Sequence, residues 1–210
     1  MISLEDVDRV TEAARTLPPA TGAYVENDFI TNLLATVVDF QTHTTAVVRA
    51  IEHYKTNRYD EIRTLDDLFE VMDRYADSKA DNTQLALYLW GYKMWTRAGM
   101  LRHLAAFFDT IGVRDQEALR RWAEQADFKR DFQGKVKGLG EAVFQWLVMR
   151  QGVDTVKPDV HVHRFAEAAV GRQLSDSDTV AVVVAAAHRL EMKAFQLDWA
   201  IWEYSRGGSA

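Results

Sequence analysis

Apolar residues recur at three- and four-residue spacing along almost the whole chain, and no stretch of useful length alternates apolar with polar as a half-buried strand would. That periodicity predicts an all-α fold. A first helix reads from about Leu4 to Arg15 and ends at Pro18–Pro19, where the amide donor is missing. A second runs from about Asn27 to Phe40, with Phe29, Ile30, Leu33, Leu34 and Val37 inward. A third carries Val47, Val48, Ile51 and Tyr54, with Thr42 or Thr44 as its cap. Thr64 followed by Asp66 and Asp67 reads as the start of a fourth. Further helices are expected at about Thr83–Trp90, Thr96–Thr110 (stopped by Gly112), Asp115–Ala126, Glu141–Gln151, Val160–Val170, Asp178–Leu190 and Phe195–Arg206. Gly-Gly-Ser-Ala at the end reads as a fraying terminus. The total is about ten helices with short connectors, no fixed-period repeat and no linker, so the chain reads as one folding unit.

Composition narrows the function classes. With 210 residues, 48% of them hydrophobic, the chain can bury a sizeable core. It has no cysteine, which excludes disulfides, zinc thiolate sites, a cysteine-ligated iron–sulfur cluster and a cysteine nucleophile. The longest unbroken hydrophobic run, Val180–Ala187, is far too short for a membrane span. The opening MISLEDVDRV is acidic, unlike a signal peptide, so the expectation is a cytoplasmic protein, nucleoid-associated if bacterial. Net charge is −6, which speaks against nucleic acid, but the charge is uneven. Residues 129–172 hold eight Lys/Arg against five Asp/Glu, a basic window in an acidic chain that could touch phosphates or be ordinary scatter.

That window contains Lys135-Val136-Lys137-Gly138-Leu139-Gly140-Glu141. A G-x-G pair before a helix lets the turn take positive φ and brings backbone amides, together with the helix's own unpaired N–H groups, to one outward corner. Lys135 and Lys137 flank it. A tight corner between helices, with two solvated lysines, would look the same. Seventeen residues after Ala142 comes Asp159, in Lys157-Pro158-Asp159-Val160-His161-Val162-His163-Arg164.

Together the two segments resemble the helix–hairpin–helix base-excision DNA glycosylase superfamily, the endonuclease III-like and 3-methyladenine glycosylase-like group. Its hairpin reads L-P-G-x-G-x-x-T-A and its second motif V-D-x-H-x-x-R. Gly138 and Gly140 fall on the hairpin glycines, and Asp159, His161 and Arg164 match the second motif in order and spacing. Leu33 to Thr42 is similar to the early helix ending in an L-S-x-Q turn, with Gln41 on the glutamine, and Leu197-Asp198-Trp199-Ala200-Ile201-Trp202-Glu203-Tyr204 to a closing helix. The resemblance implies a compact two-lobed helical domain over 1–210. Its hairpin and catalytic segment would lie at about 128–165, and the lobe would be completed by the amino- and carboxy-terminal helices.

By the same resemblance Asp159 is the catalytic carboxylate, although capping the helix after Pro158 is its simpler role and both can hold together. The amides of Gly138, Leu139 and Gly140, with Lys135 and Lys137, would clamp phosphates of double-stranded DNA. Gln41 would enter the space left by a flipped base, or be only a polar helix end. His161 would be a supporting hydrogen bonder and Arg164 a phosphate or carboxylate partner. His161 and His163, two apart, do not share a helical face, and no metal site is expected. Trp90, Tyr92, Trp95 and Phe40, and more weakly Tyr24 and Phe29, are candidates to stack on an electron-poor base, though such clusters also build cores.

Three departures stand against the family pattern. Ala142 stands where lyase-competent members carry a lysine, so no Schiff base can form there, and the cluster cysteines are absent. The hairpin proline is replaced by Lys137. The chain thus resembles a monofunctional glycosylase for a damaged, alkylated base, without cofactor apart from a monovalent cation that the hairpin carbonyls could hold. The alternatives are an inactive lesion- or DNA-binding protein on the same fold and a helical interaction protein with no nucleic-acid role.

Overall fold

The computed structural model describes residues 1–18, 20 and 25–207, Gly207 by its backbone alone. Tyr24 and the last three residues lie outside this range. The described residues are all-helical, with eleven α-helices and one wide five-residue turn. They group into two compact units, one of residues 1–25 and 144–210, the other of residues 26–143.

The second unit contains α2 (Phe29–Asp39), α3 (Thr44–Asn57), α4 (Leu65–Asp73), α5 (Lys79–Trp90), α6 (Trp95–Thr110) and α7 (Gln116–Gln125). Every residue from Phe29 to Val38 is buried, as an almost uniformly apolar helix requires, and α2 packs on α3 and α6. Most starts are set by short polar side chains. Thr64 and Asp67 form a reciprocal capping box on α4, and Ser78 and Asp115 cap α5 and α7. Neither Thr42 nor Thr44 caps α3. His43 occupies that position without a side-chain bond, and the Thr42 hydroxyl donates instead to the Phe40 carbonyl. α5 begins four residues before Thr83 because Ser78 supplies the cap. Val48 is exposed rather than inward.

α8 (Glu141–Met149) runs from the second unit into the first, which also holds α1 (Leu4–Ala14), α9 (Val160–Val170), α10 (Asp176–Arg189) and α11 (Ala194–Gly207). Val10, Val162, Ala166, Val183, Leu197 and Ile201 are among the residues of its core. Gly171, at φ 80°, gives α9 the left-handed stop that glycine adopts without strain. His163 ties α9 to α10, with Nε2 2.9 Å from Asp176 Oδ1 and Nδ1 3.1 Å from the Thr179 hydroxyl.

Candidate functional site

In the second unit the basic window opens on a wide helical turn, Phe128–Phe132, closed by Gln133 N–H donating to the Phe128 carbonyl at 2.7 Å. Asp131 is held down to about 2 by the Arg130 guanidinium and by the Asp127 amide. The corner that follows alternates. Val136 and Leu139 are buried anchors, while Lys135, Lys137, Gly138 and Gly140 are exposed. Gly138 sits at φ 86°, and a β-carbon there would lie 3.0 Å from Met100 Cε of α6. A β-carbon on Gly140 would meet nothing within 4 Å. The amides of Lys137, Gly138 and Gly140 donate to no group among the described residues, whereas Leu139 N–H reaches the Val136 carbonyl at 3.3 Å. Three amides without an acceptor and two exposed lysines therefore lie along one corner, an arrangement that can take an anion through backbone.

Gln41 is exposed at φ 52°, one of two non-glycine residues in the left-handed region among those described. A β-substituted residue there carries backbone strain that its surroundings must hold. The holder is Arg97 of α6, whose Nη2 donates to the Phe40 carbonyl at 2.6 Å and whose guanidinium lies 5.0 Å over the Phe40 ring. Burial pushes the pKa of that guanidinium down. Arg97 and Met100 are three apart on one face of α6. A single helix face thus touches both the Gln41 turn and the glycine corner. Arg97→Ala, which strands the half-buried Phe40 carbonyl, is expected to lower the unfolding free energy by about 1–3 kcal/mol in urea titration.

The aromatic candidates of this unit do not converge on one pocket. Trp90 is 1% exposed, so the assignment of its ring to an open base pocket is corrected: it is core, at the end of α5. Trp95 is 41% exposed with Lys79 Nζ 5.5 Å over its ring, Tyr92 is half-buried in the α5–α6 connection, and Phe40 is covered by Arg97. Phe29 is buried against Phe108.

In the first unit Asp159 is half-buried at the start of α9. Its Oδ1 accepts from the His161 amide at 2.8 Å and the Val162 amide at 3.1 Å, the expected cap. Its Oδ2 accepts nothing among the described residues. The capping duty therefore uses one oxygen and leaves the other. His161 is half-buried. Arg164 is exposed and pairs with no carboxylate among the described residues.

Asp198 of α11, an acid that the local sequence does not mark as a site, is the unusual group here. Its Oδ2 accepts the Lys157 amide at 2.7 Å. Burial pushes its pKa up to about 7, helped by the negative charge of Asp159 and opposed by the Lys157 amide and charge. A raised carboxyl pKa means the fold favours the protonated form. The resulting stability is full at low pH and is lost as pH rises through about 7. Asp198→Asn mimics that neutral form. Its stability advantage over wild type should grow from pH about 4 to 7, then stay flat, reaching about 2–4 kcal/mol. Thermal melts of both proteins across that range would show it, and a pH-independent difference would contradict it. Beside this segment Trp146 of α8 takes Lys157 Nζ at 5.0 Å and the Arg150 guanidinium at 5.4 Å over its ring.

Among the described residues no three His, Cys, Asp or Glu side chains are grouped to hold a metal ion, and no helix is long and apolar enough to cross a membrane.

The family described as a domain of unknown function, DUF8548, matches residues 27–206. The chain belongs to that family. The DUF8548 match spans all of the second unit except Glu26, and the first unit from Phe144 to Arg206, leaving α1 outside. No curated protein and no solved structure matches the chain.

Proposed function

We propose that this DUF8548 chain is a monofunctional DNA glycosylase that flips a damaged, alkylated base out of duplex DNA and hydrolyses its N-glycosidic bond. The resemblance to the helix–hairpin–helix glycosylases motivates the reading. The observation that carries it is the unshared Oδ2 of Asp159, an oxygen left over by the residue that matches the catalytic carboxylate. Support comes from the amides at 137, 138 and 140, which donate to no described group, and from the exposed Gln41 turn, which the same face of α6 contacts.

The chemistry is hydrolytic. With the base extruded from the stack, the C1′–N bond breaks and leaves its electron pair on the base while positive charge develops on the sugar. The Asp159 carboxylate stabilises that charge and takes a proton from the water whose oxygen bonds to C1′. The departing base gains a proton unless alkylation has already made it cationic. Ala142 offers no amine, so the strand stays intact until alkali cleaves the abasic site.

The test is a panel of duplexes, each with one alkylated, deaminated or oxidised base. Incubation followed by alkali should cut at an alkylated position, and incubation without alkali should cut nowhere. Release from no member of the panel would contradict the proposal. Salt-sensitive duplex binding without release would instead select the inactive binding protein.

A further inference from the structure

The connection between α8 and α9 is joined to α11 twice, each time by a carboxylate of one segment accepting an amide of the other. Asp154 Oδ1 accepts from Phe195 N–H at 3.3 Å, and Asp198 Oδ2 accepts from Lys157 N–H at 2.7 Å. The Lys157 carbonyl in turn accepts from Asp159 N–H at 2.7 Å. Both backbone groups of Lys157 are therefore engaged, one by Asp198 and one by Asp159. Pro158 between them has a fixed φ and no amide to offer a competing bond. Asp159 completes the chain by capping His161 and Val162 with Oδ1. An aspartate half-buried in the second turn of α11, among Leu197, Trp199, Ala200 and Ile201, is costly to keep there, since an apolar side chain would pack at lower cost.

We propose that Asp198 is the positioning residue for Asp159: by holding the Lys157 amide it fixes the turn that keeps Asp159 Oδ1 on the α9 cap and Oδ2 open. The catalytic consequence rests on the glycosylase reading, whereas the positioning itself is a property of the unbound protein and can be read without any substrate.

The experiment compares wild type, Asp198→Ala and Asp198→Asn in the full chain. Amide hydrogen exchange at Asp159, His161 and Val162 is measured on the unbound protein, and single-turnover base release on the best duplex of the lesion panel. In Asp198→Ala the three amides should exchange about tenfold faster or more while α10 stays protected. Base release should fall about tenfold or more with duplex affinity retained. Asparagine keeps an acceptor oxygen in place, so Asp198→Asn should restore both, which a general loss of packing would not. If the alanine variant does not fold, Asp198→Ser, too short to reach the Lys157 amide, replaces it. Unchanged exchange in the shortened variant, failure of asparagine to restore it, or faster exchange with undiminished release would each overturn the proposal. If wild type releases no base at all, the glycosylase reading fails by itself, and the exchange measurement alone decides whether Asp198 positions Asp159.

Discussion

Asp159→Asn is expected to slow single-turnover base release by about a thousandfold while melting temperature and duplex affinity stay at wild-type values. The substitution separates the two jobs of this side chain. Asparagine caps helices as well as aspartate does, so its side-chain oxygen can still accept the His161 and Val162 amides. The second position becomes an amide nitrogen, which can neither take a proton from water nor offset positive charge on the sugar. Asp159→Ala removes both jobs and should in addition cost about 1 kcal/mol of stability for the lost cap. Rates from oligonucleotide cleavage after alkali, with melts and binding isotherms, check the pair. An asparagine variant with wild-type release would reduce Asp159 to a cap.

The second large effect is on binding. Gly140→Ala combined with Lys137→Glu should lower duplex affinity about a hundredfold at moderate salt and shallow the dependence of log affinity on log salt by about one to two charges. The fold should be untouched. A β-carbon at Gly140 meets nothing within 4 Å, and Lys137 is exposed. The methyl group would instead stand where a sugar-phosphate strand must approach the corner amides. Gly138→Ala is a poorer probe, because φ 86° strains any L side chain there and Met100 Cε must move. Fluorescence anisotropy with a labelled duplex over a salt series measures both quantities. Full affinity in the double variant would remove the corner from the interface.

Local chemistry made much of this legible from the residues alone. The bounds of α9 follow from Pro158 and Asp159 at its start and Gly171 at its end, and the structure has the helix at Val160–Val170. Thr64 announces α4 in the same way. Misreadings arose where two local signals competed. Thr83 reads as a start for α5, although Ser78 stands in capping position before the acidic Asp81 and sets the observed start. Thr42 was a plausible cap for α3, yet its hydroxyl serves the strained Gln41 turn. Trp90 belongs to a cluster whose spacing suits core and pocket equally, and only burial separates the two. Arg97 and Asp198 lay beyond local reading for another reason. Their partners are 57 and 41 residues away, so neither their burial nor their bonds leave a periodic trace. A lone acid among Leu197, Trp199, Ala200 and Ile201 was the one available hint for Asp198.

The most direct measurement is a crystal structure of the protein on a duplex carrying a non-hydrolysable abasic-site analogue. The account predicts phosphate oxygens within hydrogen-bond distance of the amides at Gly138 and Gly140, Gln41 in the vacated stack, and Asp159 Oδ2 facing the carbon where the base was attached. A duplex seated on another surface, or the Asp159 carboxylate turned from the deoxyribose with the glycine corner in solvent, would contradict it.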